Sequence, residues 1–468
     1  MENFLDVSVV VMYFTIPMIG IVITVMPVIE FMRGLKMIKL LEHQQRALDA
    51  LKTSNHLNLW WSTGLGKGYF GAYISTPGTL IICPSHLVSD WSEKIQEIHG
   101  KVLNINIIDR RNQFFNPHAV NIITIRKFPK YEPLFKHYRG ELLIVDEAHM
   151  IKNWKSKGYK ACLKIADRFN KSIRVSATFI TRNNLDLFTN AFLASKDLRK
   201  KYNYSFYKYS QDNVKFKRQW TGSTTISIPV EILPESLNRD IKPHFLSESY
   251  ESAGLNVPKC THTKVKVETT AALEKQIKLI SDEISEKDLM KMSSEEIEKL
   301  LDQKKGKAFK LNQLCNSFMY TEDKPKSFKY SDRLEKIKSI IESEEGKGLI
   351  LVQYKFEEEA ILKALKSNAM AWNGEESKRA FENNKKRVMV ANFKSIGVGI
   401  RFKTCDFIIE ASLSFNYGEV GQGRGRLRYV NRRTPYKIYS LILNNPLAGK
   451  MLQSLEEKES IANRCKGV

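Results

Sequence analysis

Short apolar runs, each closing on a small or polar residue, recur along the chain from Leu40 to Thr178. Five of them have the length and β-branched content of buried strands: LNLWW before Ser62, TLIIC ending at Cys83, NIITI around Thr124, LLIVD ending at Asp146, and SIRVS ending at Ser176. Helical stretches separate them. Alternating strand and helix is the mark of a parallel α/β sheet, covered on both faces, so its strands read as unbroken apolar runs. The pattern returns after Phe328 with GLILVQY, RVMVANF, DFIIEAS and KIYSLIL. Between the blocks, residues 185–325 are rich in Lys and Glu, as in KDLMKMSSEEIEKLLDQKK, and predict helices. The expected order is a sheet domain over 37–190, a helical middle over 191–325, a second sheet domain over 326–443, and a tail from Asn444 that reads as a solvated helix. Ligands of such sheets bind at the carboxyl ends of the strands.

The first 36 residues follow another pattern. Val7 to Ile29 is a run of 23 uncharged, mostly apolar residues. As a helix it would be about 35 Å long, against a hydrocarbon core of about 30 Å. Glu2 and Asp6 precede it and Arg33, Lys36 and Lys39 follow, so the positive-inside rule puts the rest of the chain in the cytoplasm. There is no basic n-region and no small-residue cleavage site, which speaks against a secretory signal peptide. Three readings stand side by side: a membrane anchor through residues 7–29, a buried apolar helix, or upstream sequence read from too early a start. The last draws on Met37, which opens MIKLLEHQQRAL as a domain would begin.

Charge narrows the partners. The chain has 74 Lys and Arg against 51 Asp and Glu, a formal charge of +23. That surplus favours polyanions, because each neutralised phosphate releases condensed counterions, although a lysine-rich proteome would leave the same trace. The six cysteines include no close pair, which excludes a zinc knuckle and a disulfide framework.

Two clusters carry chemistry. STGLGKG, Ser62 to Gly68, lies between a strand and a helix, where a glycine-rich turn aims backbone N–H groups at phosphates and Lys67 adds a cation. A structural glycine turn would look similar. Further on, LLIVDEAHMIKN delivers Asp146 and Glu147 to the exposed end of a strand. Such a pair can hold Mg²⁺ and orient an attacking water, or simply cap a helix.

DEAH followed by IKN resembles the Walker B segment of the Swi/Snf-like superfamily-2 helicases, and further motifs follow in that family's order. LLEHQQ resembles the adenine-reading element, with Gln44 as the matching residue. LIICPSHLVSDW resembles motif Ia, with Pro84 and Ser85 at the DNA backbone, and NIITI resembles motif Ib, with Thr124. SATFITRNNLDLF resembles motif III, with Ser176 and Thr178 coupling hydrolysis to DNA and His149 linking them to Walker B. ANFKSIGVGIRF resembles motif V, with Gly397 and Gly399 against DNA. GQGRGRLRYVNRR resembles motif VI through Gln422, Arg424, Arg426 and Arg428. Three departures stand out: Gly68 where the P-loop has Ser or Thr, Phe179 where proline is usual, and Tyr429 where the last arginine commonly falls.

The resemblance covers roughly Leu40 to Leu443. It implies an α/β protein of two tandem RecA-like parallel-sheet domains with a helical insertion between them, beside the N-terminal apolar helix. It further implies ATP and Mg²⁺ as cofactors, bound through Gly64, Gly66, Lys67 and Asp146. Glu147 would be the catalytic base, Arg426 the arginine finger with Arg428 second, and Gln422 a coupling residue. The implied partner is DNA, double-stranded or branched, gripped by its backbone; the implied activity is translocation or remodelling. A weakened clamp on DNA or RNA and a branch-migrating recombination helicase are the alternatives. Compact size and the lack of a chromatin-reading module point to a phage or mobile element.

Overall fold

The computed structural model describes residues 39–181, 183–220, 225–256, 258–281, 312–320, 325–327, 332–396, 400–414, 417–429 and 432–466. The apolar run at 7–29, and with it the expected N-terminal helix, lies outside them. Among the described residues no helix is long and apolar enough to cross a membrane.

The first lobe is built on strands β1 (His56–Trp61), β2 (Leu80–Cys83), β3 (Asn104–Ile108), β4 (Ala119–Thr124), β5 (Gly140–Asp146) and β6 (Phe169–Ser176). An antiparallel hairpin, β7 (Val214–Trp220) and β8 (Thr225–Ile232), follows it. The chain then returns as β9 (Phe245–Glu248), and the seven-stranded sheet runs β3-β4-β2-β5-β6-β1-β9 with every pairing parallel. Leu59, Ile81, Ile82, Ile122, Ile144 and Ile173 are fully buried, as two-face coverage requires.

The second lobe opens with β10 (Cys260–Val267). After a short hairpin of β11 (Phe318–Tyr320) and β12 (Pro325–Ser327) come β13 (Lys347–Val352), β14 (Ala369–Ala371), β15 (Val388–Asn392), β16 (Cys405–Glu410) and β17 (Tyr436–Leu443). Its six-stranded sheet has the order β10-β17-β16-β13-β15-β14, again wholly parallel. Two parallel sheets fit the expected tandem RecA-like arrangement.

The middle differs from the helical expectation. KDLMKMSSEEIEKLLDQKK lies outside the described residues, while the parts on view include the β7–β8 hairpin and the edge strands β9 and β10. The reason is exposure. CTHTKVKV of β10 alternates polar and β-branched residues and is mostly solvent-facing, so it lacks the apolar run of a central strand. The tail differs too. Pro446–Lys466 is a helix, but not a solvated one: Ala448 and Met451 enter the second core, and Ala462 and Cys465 enter the first. All six cysteines are free thiols, as their spacing implied.

One buried acid in the second lobe sets a pH response. Glu357 accepts hydrogen bonds from the backbone N–H groups of Gln353 (3.2 Å) and Tyr354 (3.0 Å) and from Ser412 Oγ (2.7 Å). Burial pushes its carboxyl from 4.5 up to about 7, against the pull of Ser412 and Arg333. The folded chain therefore holds this proton longer than the unfolded one, and stability falls as pH rises between those values. The loss should total roughly 3 kcal/mol by linkage. Glu357→Gln should remove that share of the pH slope, checked by denaturant midpoints between pH 4.5 and 8; unchanged slopes would refute it.

Candidate functional site

Strand β1 ends at Trp61 and releases the chain into the glycine turn. Gly64 and Gly66 adopt φ of +92° and +79°, a region that side-chain-bearing residues rarely enter. Lys67 then starts the helix Lys67–Tyr73. Its ammonium donates to the carbonyls of Trp61 (2.9 Å) and Ser62 (3.1 Å) rather than to a carboxylate. Burial draws it down to about 8, with Glu147 and Asp146 opposing. Gln44 flanks the turn, its amide accepting from Leu41 N–H at 3.0 Å and reaching the Gly66 carbonyl at 3.5 Å.

Strand β5 delivers the two acids. Asp146 accepts from Trp91 Nε1 at 2.9 Å and from the Glu147 N–H at 2.9 Å. Burial, with the Glu147 charge beside it, pushes Asp146 up to about 6. Glu147 goes the other way: burial favours its neutral form, but His149, Lys67 and Arg426 outweigh that and hold it below its usual value. A single oxygen of Glu147, Oε2, meets His149 Nδ1 at 2.9 Å, Ser176 Oγ at 3.4 Å and Gln422 Nε2 at 3.4 Å. Ser176 Oγ also lies 3.2 Å from His149 Nδ1 and accepts from the Thr178 N–H at 3.1 Å.

The second lobe supplies the opposite wall. Arg426 is 1% exposed, and among the described residues its Nε and Nη2 have no hydrogen-bond partner. A weak bond runs from Nη1 to the Ile400 carbonyl at 3.4 Å, and burial lowers the guanidinium's pKa to about 10. Arg428 lies 5.6 Å over the Tyr250 ring, and Tyr250 in turn donates to the Thr63 carbonyl at 2.9 Å. Arg424 is placed differently: a forked pair to the buried Glu410 (2.7 and 3.0 Å) commits it to the second lobe's core.

Gly64, Gly66, Lys67, Asp146, Glu147, Arg426 and Arg428 thus line one cleft between the lobes. It holds about 630 Å³ of empty space, open solvent at its mouth included. Gln44, His149, Ser176 and Gln422 stand behind its walls. Pro84, Ser85 and Thr124 sit apart from it, at the carboxyl ends of β2 and β4, with Ser85 exposed. Gly397 and Gly399 lie outside the described residues. Sequence reasoning passed over Asp90, Lys94 and Arg401, which also line the cleft, and over Tyr250 and Trp91. Asp90 and Trp91 fall in the motif Ia-like run and were within reach; Tyr250 left no signal.

The lobes meet through glycine. A Cβ on Gly64 would lie 2.3 Å from Tyr250 Oη and 2.8 Å from the Arg428 carbonyl, and one on Gly425 would lie 2.8 Å from Thr63 Cγ2. Gly64→Ala adds positive-φ strain to a clash with backbone, and should cost roughly 1–3 kcal/mol. A thermal midpoint equal to wild type would show that the lobes do not touch there.

The SNF2-related domain matches the chain over residues 19–320. A stretch of 118 residues is 30% identical to Switch 2 of Arabidopsis thaliana, which covers 23% of this chain and only 13% of that protein. The Sulfolobus solfataricus SWI2/SNF2 ATPase core in complex with dsDNA aligns with 91% of this chain and 92% of its own, at 17% identity. The TM-score of that match is 0.40. The family match spans well over half of the 468 residues and takes in the glycine turn, the paired acids and the Ser176 segment, so the chain belongs to the SNF2-related domain family.

Proposed function

We propose that the chain hydrolyses ATP in the interlobe cleft and couples the cycle to movement along, or remodelling of, DNA. Arg426 carries the reading. Its buried guanidinium, whose Nε and Nη2 find no hydrogen-bond partner among the described residues, faces Lys67 across a cleft, and a transferring phosphoryl group is the anion that both cations suit. In this reading Gly64, Gly66 and Lys67 cradle phosphates, and Gln44 stands where an adenine would be read. Glu147, held ionised, orients the attacking water and takes its proton. Arg426 meets the charge that develops, with Arg428 beside it.

Mg²⁺ fits the site in part. Asp146 is a buried carboxylate on the cleft wall, and such ions are commonly held by one or two carboxylates plus substrate phosphates. Gly68 supplies no hydroxyl. When bound, the ion would neutralise phosphate charge.

Coupling follows from Glu147. Its contacts to Ser176 and Gln422 come from different lobes, so its orientation depends on closure. DNA held at the strand ends by Pro84, Ser85 and Thr124, and by the motif V-like segment that includes Gly397 and Gly399, would bias that closure. The chain's charge of +23 supports backbone grip with strong salt dependence. A second reading, a weakened nucleic-acid clamp, draws on Gly68 and on the unusual motif VI, where Tyr429 takes the place of the last arginine.

ATP hydrolysis by the full chain, with and without duplex DNA, tests this. Lys67→Ala and Glu147→Gln should abolish DNA-stimulated turnover while leaving DNA affinity in place. Arg426→Ala should cut turnover about 10³-fold or more with ATP still bound. DNA binding without turnover in the wild type would favour the clamp.

A further inference from the structure

Position 68 is not an empty place. A Cβ built on Gly68 would lie 2.9 Å from Lys94 Nζ, 3.4 Å from its Cδ and 3.5 Å from its Cε. Lys94 therefore fills the space that a serine or threonine after Lys67 would occupy. It comes from the helix Val88–His99, which follows β2 and runs beside the helix that Lys67 begins. Its ammonium pairs with Asp90 one turn earlier and lies 5.4 Å over the Tyr69 ring. Lys94 and Asp90 both line the cleft that holds Lys67, Asp146 and Glu147.

We propose that Lys94 replaces the missing hydroxyl by giving the phosphates of ATP a direct cation, so that this site depends less on divalent metal to bind nucleotide. The inference rests on the ATP reading above. The charge balance favours it: five basic side chains (Lys67, Lys94, Arg401, Arg426 and Arg428) line the cleft against three carboxylates, Asp90, Asp146 and Glu147. A hydroxyl can only hand a metal to the phosphates, whereas an ammonium brings its own charge and three donors. Asp90 is the more exposed partner, at 37% against 16% for Lys94, and can turn to water when an anion takes its place. The plainer account makes Lys94–Asp90 an ordinary i,i+4 helix pair, which would be indifferent to nucleotide. A helix pair alone does not require the ammonium to stand 2.9 Å from where a Cβ on Gly68 would lie.

The experiment measures binding of a non-hydrolysable ATP analogue to the full chain, in EDTA and in excess Mg²⁺. Lys94→Met should weaken binding in EDTA at least about tenfold, with Mg²⁺ restoring most of the loss. Gly68→Ser combined with Lys94→Met should make binding depend more steeply on Mg²⁺ than in the wild type. Equal losses with and without Mg²⁺, or no loss at all, would overturn the proposal while leaving the ATP site standing. A wild type that binds the analogue under neither condition would bring down both readings. Thermal midpoints of the variants separate a misfolded protein from a specific loss.

Discussion

One carboxylate oxygen organises the cleft. Glu147 Oε2 gathers His149 from its own segment, Ser176 from the end of β6 and Gln422 from the second lobe. Buried at 1% exposure, the charge is tolerable only while those donors and the nearby cations surround it. Most of the polar arrangement on both walls can be read as answering that single demand. Separation of the lobes removes one donor and moves Arg426 away, so the acid's environment reports the state of the seam.

Close approach is the second requirement, and it limits side-chain size. Gly64 lies against Tyr250 and the Arg428 backbone, while Gly425 lies against Thr63. Two glycines facing each other's lobes let the walls come close enough for Lys67 and Arg426 to serve the same small volume. Tyr250 adds a fixed strut, bonded to the Thr63 carbonyl and covered by Arg428. The seam is shaped by backbone and by one aromatic ring as much as by charge.

How much of this could be read from the chain follows from burial. The runs ending at Cys83, Asp146 and Ser176 are covered on both faces and stand out as apolar; they became β2, β5 and β6. Strands β3, β9 and β10 lie at sheet edges, where partial exposure mixes polar residues into the pattern, and the edge strand β14 is only three residues long; none was foreseen. Lys67, Asp146, Glu147 and Arg426 were legible because charged residues directly after apolar strands or within a tight arginine cluster are unusual. Lys94 and Tyr250 were not, since their place in the cleft depends on how a helix and a connecting segment settle against the glycine turn. Spacing along the chain does not encode that.

The helix Pro446–Lys466 has one further consequence. Its 21 residues extend about 30 Å. Ala448 and Met451 are anchored in one core and Ala462 and Cys465 in the other, while Lys466 rests over Trp60, on the strand that leads into the glycine turn. A rigid rod rooted at both ends acts as a leash: the lobes can pivot about it, but they can part only by uprooting one anchor or breaking the rod. Any opening of the lobes would thereby be limited by the grip of Ala448, Met451, Ala462 and Cys465, none of which lines the cleft.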